Sequence, residues 1–366
     1  MDLDEQRAEV RDLMLRRFDR RALRGFGGSL LLAPSNTVLP AITGTTGFGD
    51  TLTCSTGTWS GVPAPTYTYQ WQRGGVNIGG QTAATHVIVA ADLGATLTCE
   101  VTATNAVGSA MAESVGTAVP SLDAQILAQV AAAPGSWTAR FIGLSRGVSD
   151  FNLSGSAVVD WYDWSGLGNH ATQATSTKRS AYSATAANGL PGMMFDGGDV
   201  LVTPAIATGA ASAGVVIALF QDASAGTMFP VVWGAYGVDM LAIALNIVAG
   251  GDLSARNVIA STSLFARSAA SYPMTTPAVV TSTWDSAQAN ESEIRHASVN
   301  VTSSASGAGA GTTLGTQALH IGGRDAAPNT PFTGALCALV CASGTGPIPL
   351  TQVAAIEALL AAQQGL

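Results

Sequence analysis

YTYQWQRGG, residues 67–75, places Tyr67, Tyr69 and Trp71 on one side of an extended chain and Thr68, Gln70 and Gln72 on the other. Alternation with a period of two marks a half-buried β-strand. The pattern returns in TLTC (51–54), where Leu52 and Cys54 share a face. It returns again in TLTCEVTAT (96–104), where Leu97, Cys99, Val101 and Ala103 oppose Thr98, Glu100, Thr102 and Thr104. Glycine, proline and asparagine turns separate these short runs, which predicts a β-sandwich over residues 34–119.

The segments GDTLTCSTGTWSG (49–61), YTYQWQRGG (67–75) and AADLGATLTCEVTATNAVGS (90–109) resemble immunoglobulin-like domains, most closely those of phage virion and bacterial surface proteins. The resemblance implies an inter-sheet disulfide between Cys54 and Cys99, packed on a buried Trp71. It also implies a spacer or weak binder. Leu97 stands two residues before the second cysteine, where antibody domains carry a tyrosine, so no antigen-loop logic is transferred.

PSLDAQILAQVAAAPG (120–135) predicts a short helical linker capped by Ser121, with Ile126, Leu127 and Val130 buried and Pro134-Gly135 as terminator. From residue 136 the strand pattern resumes, in AVVDWYDW (157–164), GMMFDG (192–197), GVVIALFQD (214–222), PVVWGAY (230–236), AVVTSTWD (278–285) and GALCALVCAS (334–343), among others. Many short strands joined by long loops predict a two-sheet jelly roll over 136–366. PLTQVAAIEALLAAQQGL closes the chain as a helix, with Ile356, Leu359 and Leu360 on its apolar face.

Three stretches of this region resemble the concanavalin A-like lectin/glucanase and laminin-G superfamily. The first carries Trp161, Asp163, Ser165, Gly166, Gly168, Asn169 and Ala171 in a W-x-D-x-SG-x-G-N-x-A pattern, with Trp164 where many relatives have a polar residue. That stretch, 158–201, also carries FDGGD (195–199) near its end; the others are HIGGRDAAPNTPFTGALCALV (320–340) and the terminal helix. The resemblance implies a lectin-type β-sandwich with a tendency to bind carbohydrate. It also raises calcium as a ligand, for which the loop carboxylates Asp160, Asp163, Asp196 and Asp199 are the candidates. The simpler reading, that Asp163 and Asp196 bond their own turns, is preferred.

Flat aromatic rings pack against sugar C–H faces while neighbouring polar groups hold hydroxyls. The saccharide-contact candidates are therefore Trp164, Tyr236 and Trp233, with Asp163 and Asn169 beside them; Trp161 reads as core. Glycoside hydrolysis needs two carboxylates roughly 5–9.5 Å apart. Glu291 and Glu293 are the one close pair on a strand. The resemblance implies a third acidic residue, and usually an aspartate between the pair, in the hydrolases. Here Ser292 separates them and no aspartate follows, so the run ESEIRH reads as a solvated, glycan-facing or simply exposed edge. None of the four histidines lies near a G-x-S-x-G elbow. The expectation is a chain without catalytic activity. Cys337 and Cys341 lie four apart on one strand face, about 13 Å between Cα atoms, too far for a bridge, and read as buried thiols.

Charge is spread unevenly. Seven of the 16 basic residues and six of the 24 acidic ones precede residue 25, which leaves 9 basic and 18 acidic beyond it. That balance disfavours nucleic acid. The most apolar stretch, 205–220, is interrupted by Thr208, Gly209, Ser212 and Gly214, so no membrane-spanning helix is expected. Residues 1–33 read as a helix with acids early and arginines late. Val10, Leu13, Met14 and Phe18 form one narrow stripe, either on a solvated leader or on a docking anchor. The leader lacks the apolar core of a secretion signal, whereas a disulfide persists outside the cell. A phage or phage-like particle (gene transfer agents included) reconciles the two. The expected role is a head-spike, decoration or tail-fibre protein, homo-oligomeric, joined to capsid or tail proteins by the N-terminal helix and attaching to host surface polysaccharide after lysis. A bacterial adhesin and a polysaccharide depolymerase are the alternatives.

Overall fold

The structure, a computed structural model, describes residues 31–133 and 137–363, with breaks at 146, 188, 209–212, 223–226, 236–238, 247–251, 260–261, 272–275, 286–292, 298, 301, 307–315, 324–331 and 346–349. The anchor stripe of Val10, Leu13, Met14 and Phe18, together with Tyr236 and Glu291, lies outside the described residues. The chain is mainly β and divides into two compact units between Val119 and Pro120.

The first unit is built around the strand Thr66–Arg73. It pairs antiparallel with Thr96–Asn105 along its whole length, from Thr66 opposite Thr104 to Arg73 opposite Leu97. On its other edge it turns through Gly74 and Gly75 into Val76–Asn77. Both glycines have left-handed φ, 56° and 78°, the backbone that a two-residue hairpin loop requires. Gly108–Glu113 and Thr117–Ala118 complete this sheet beside Thr96–Asn105. A second sheet sets Thr51–Cys54 between Ile42–Thr43 and Thr85–Val87. Leu32–Val38 pairs separately with Thr58–Val62. Leu52 and Cys54 from one sheet pack with Trp71, Leu97, Cys99 and Val101 from the other, all buried. The Trp71 indole N–H reaches the Ala83 carbonyl at 3.0 Å.

Cys54 and Cys99 are neighbours across this core, but as two thiols and not as the expected disulfide: Cys54 Sγ donates to the Ser55 carbonyl at 3.3 Å and Cys99 Sγ to the Glu100 carbonyl at 3.9 Å. The fold brings the sulfurs together; oxidation requires a separate electron acceptor. The interaction between the two sulfurs holds Cys54 below the usual thiol range against the effect of burial, and pushes Cys99 up, with burial adding to it.

Among the described residues of this unit one carboxylate is fully buried. Asp92 accepts from Arg73 Nε at 2.8 Å and Nη2 at 2.7 Å on one oxygen. On the other it meets the Val89 amide at 2.8 Å and His86 Nε2 at 2.9 Å. The His86 ring lies against Trp71, centroids 5.3 Å apart. The network therefore ties a charged cluster to the central indole.

In the second unit the strand Thr333–Gly344 is buried from Gly334 onward. One side pairs with Ala213–Asp222; the other with Leu190–Asp196 near its start and Thr138–Leu144 near its end. Ala213–Asp222 pairs in turn with Ala278–Asp285. The sheets curl until the hydrogen-bonded path of strands closes on itself. Val216, Ala218, Phe220, Val280, Trp284, Leu339 and Cys341 face the enclosed core with Trp161, Trp233 and Phe332. Cys337 and Cys341 are both buried and unbridged, and burial raises Cys341 well above the ordinary range.

Two α-helices are found among the described residues of this unit. Leu122–Ala132 contacts the strand Thr138–Leu144 and the C-terminal helix Leu350–Gln363. It is thus packed structure, with Leu122, Ile126 and Val130 buried, where a linker was expected. Ser121 occupies the cap position without a side-chain bond to the helix. The C-terminal helix buries Val353, Ile356, Leu359 and Leu360. The buried Glu357 accepts from Thr281 Oγ1 at 2.6 Å and pairs with Arg295 Nε at 3.0 Å.

Two outcomes test the first unit. Burial pushes the Asp92 carboxyl up, but the bonds from Val89, His86 and Arg73 outweigh it and leave its pKa below the ordinary value. A carboxyl lowered by folding stabilises above its unfolded pKa, about 4, and that contribution is lost as pH falls through the folded value. Asp92→Asn should cost about 2–3 kcal/mol at neutral pH and flatten the acid limb of stability, as read by thermal melts from about pH 3 to pH 7. Mild oxidant should convert Cys54 and Cys99 to a bridge that adds about 4 kcal/mol. Thiol titration in denaturant should then find only Cys337 and Cys341; four remaining thiols would refute the pairing.

Candidate functional site

The strand Ala157–Trp161 ends where the loop 162–170 begins. Trp161 turns inward, fully buried. Its indole N–H donates to the Leu144 carbonyl at 2.9 Å, and its ring packs between Phe151 (6.2 Å, stacked) and Phe141 (5.7 Å, edge-on). The approach of these rings demands a glycine at 143: a Cβ there would fall 2.6 Å from the Phe141 ring and 2.7 Å from the Trp161 ring.

Asp163 then fixes the loop. Oδ1 accepts from the Ile142 amide at 2.9 Å and the Ser165 amide at 2.8 Å. Oδ2 accepts from Ser165 Oγ at 2.7 Å and the Asn169 amide at 2.9 Å. The Trp164 amide donates to the Ile142 carbonyl, and Asn169 Nδ2 to the Arg140 carbonyl. Gly166 and Gly168, at φ 83° and 71°, carry the turn between them. A carboxylate meeting four donors in a nearly closed site serves as the acceptor hub of a rigid turn. Asp163 and Asn169 thus shape the loop from beneath.

The loop presents Trp164, 36% exposed, and Leu167, 51% exposed. His170 is also exposed, and Tyr162 is half-buried against its ring, centroids 5.4 Å apart at 72°. His170 was not among the sequence candidates. Its position inside the G-N-x-A run was legible, but nothing in the spacing distinguishes a solvent-facing imidazole from a turn filler.

Trp233 requires correction as a saccharide platform. It is fully buried because its side chain turns from the strand Thr227–Ala235 into the core of the second unit, in one cluster with Phe220, Trp284 and Phe332. Nearness to Gly234 in sequence therefore did not bring exposure.

The FDGGD, HIGG and PFTG landmarks converge. Phe195 lies 5.5 Å from Phe332, and the Phe332 amide donates to the Gly322 carbonyl. A Cβ on Gly322 would fall 2.1 Å from the Phe195 ring, so this close approach, at φ 92°, belongs to glycine. In the adjoining turn Asp196 Oδ1 accepts from the Gly198 amide at 2.9 Å and Asp199 Oδ2 from the Asp196 amide at 3.1 Å. Calcium does not fit these groups: the Asp163 carboxylate is occupied by its own loop, and among the described residues no three His, Cys, Asp or Glu side chains are placed to hold an ion.

No family model matches the sequence, and no curated protein matches it. Solved structures similar to the chain include domain 4 of AbnA, a GH43 extracellular arabinanase from Geobacillus stearothermophilus in complex with arabinotriose: 13% identity, 60% of this chain, 98% of that chain, TM-score 0.40. A GH54 α-L-arabinofuranosidase matches at 15% identity over 91% of this chain and 63% of its own, TM-score 0.41. The CBM40 of the Ruminococcus gnavus IT-sialidase, bound to α2,3 sialyllactose, matches at 12% identity over 40% and 83%, TM-score 0.32. With glycoside hydrolases among these structures, the expectation of a chain without catalytic activity is corrected and is not maintained.

Burial pushes the Asp199 carboxyl up to about 6, with the Asp196 amide opposing and the Asp196 charge adding to the shift. A carboxyl raised by folding destabilises the fold when ionised, so stability falls as pH rises from about 4 through 6 and is level above. Asp199→Asn keeps the acceptor for the Asp196 amide and should abolish that fall, about 2 kcal/mol. Thermal melts at about pH 4 and pH 7 check it; an unchanged difference between the two would contradict the assignment.

Proposed function

We propose that the second unit binds saccharides through the surface of the loop 162–170, with the Trp164 indole as its stacking platform. The observation that carries this reading is a partly exposed indole on a loop whose backbone is already held by the buried Asp163 carboxylate. Binding at a rigid aromatic surface spends little ordering entropy. Such a shallow site has millimolar-range affinity, about 4 kcal/mol, so useful attachment requires several copies. Multivalent display raises avidity by roughly 10² to 10⁴ without new contacts.

Display on a phage-like particle meets that requirement, and the immunoglobulin-like resemblance of the first unit supports a spacer that carries the binding unit outward. In this reading capsid or tail proteins hold residues 1–33, copies act together, and the partner is a cell-surface polysaccharide.

The full chain coupled to beads at high density should be retained on bacterial cells bearing capsular polysaccharide and washed from cells lacking it. Trp164→Ala should reduce single-site affinity roughly tenfold, about 1.4 kcal/mol, with an unchanged melting temperature. Trp161→Ala should instead cost about 3–5 kcal/mol of stability. Equal retention on bare cells would defeat the saccharide reading. Oligosaccharide released over time in the same assay reports cleavage.

A further inference from the structure

We infer that His170 is the fixed hydrogen-bond donor of this surface, presenting Nε2–H to a hydroxyl or carboxylate oxygen of the bound saccharide; the inference rests on the saccharide reading above. The Asp163 amide N–H donates to His170 Nδ1 at 2.9 Å. A ring nitrogen that accepts carries no proton, so the neutral imidazole bears its hydrogen on Nε2. The Asp163 amide cannot swing away, because the four bonds to the Asp163 side chain and the Trp164–Ile142 backbone bond fix the chain on either side of it. Tyr162, edge-on at 5.4 Å, sets the ring plane.

His170 is exposed, and no described residue accepts from Nε2. The loop thus holds a directed donor in the same turn as Trp164. An aromatic face with a preset donor selects a ligand that offers an apolar face and an acceptor oxygen, whereas a protonated amino sugar offers only donors at its ammonium group.

Two substitutions separate donation from loop support. His170→Asn retains a carbonyl able to accept the Asp163 amide and removes Nε2–H. His170→Gln places an amide donor near the Nε2 position and gives up the Nδ1 acceptor. The full chain and its variants, labelled and clustered on streptavidin, are applied to a printed array of neutral and uronic-acid oligosaccharides. On the spots that the wild type binds, His170→Asn should lower apparent affinity roughly five- to tenfold at an unchanged melting temperature, and His170→Gln should lose less. Wild-type binding by His170→Asn, with binding lost in Trp164→Ala, would overturn the donor and leave the saccharide surface standing. Equal losses in the two His170 variants would assign the ring to loop support and overturn the donor too. A wild type that binds no spot, or a Trp164→Ala variant that binds as the wild type does, would defeat the surface itself.

Discussion

The strand Thr333–Gly344 gives up water along nearly its whole length, so its amides and carbonyls must find partners within the sheet. It finds them on both sides, with Ala213–Asp222 along one edge and with Leu190–Asp196 and Thr138–Leu144 in succession along the other. That double pairing explains the composition of the segment, which reads ALCALVCA without alternation because neither face meets solvent. It also sets where everything else can go. Thr138–Leu144 is placed by this strand, and the loop 162–170 is placed by Thr138–Leu144 through Asp163 and Asn169.

The polar interior is sparse and specific. Only 11% of the residues are charged, and three of the buried carboxylates have uses that the hydrogen bonds define. Asp92 joins Arg73 and His86 beneath the first unit's indole. Glu357 joins Arg295 and Thr281 and so fastens the C-terminal helix to the sheet. Asp163 joins backbone amides and a hydroxyl, with no cation among its hydrogen-bond partners. Glu357 acts across the most distant sequence, 62 and 76 residues away, whereas Asp163 shapes a loop and ties it to Ile142.

What could be read from sequence follows that division. The period-two faces of Leu52, Cys54, Trp71, Leu97 and Cys99 were legible because one side of each strand is wet and the other dry. Trp161 as core and the helix at 350–363 were legible for the corresponding reasons of alternation and helical spacing. The Asp163 loop was legible as a motif, and its turn bonding followed from it. Trp233 was misread because burial on both faces erases the alternation that signals exposure. Arg295 was placed on an exposed edge because its partner Glu357 lies 62 residues away, a distance that no local pattern spans. A glutamate on the apolar side of a helix likewise gives no sign of which strand it will meet.

The loop 162–170 separates the residues that hold its shape from those that face outward. Asp163, Ser165 and Asn169 secure the backbone, while Trp164 and Leu167 are exposed and His170 is exposed yet also accepts the Asp163 amide. Substitution of the outward residues leaves the four bonds to the Asp163 carboxylate in place. Such a surface can change its chemistry under selection while its geometry stays constant, and recognition can drift from one partner to another without the fold being renegotiated.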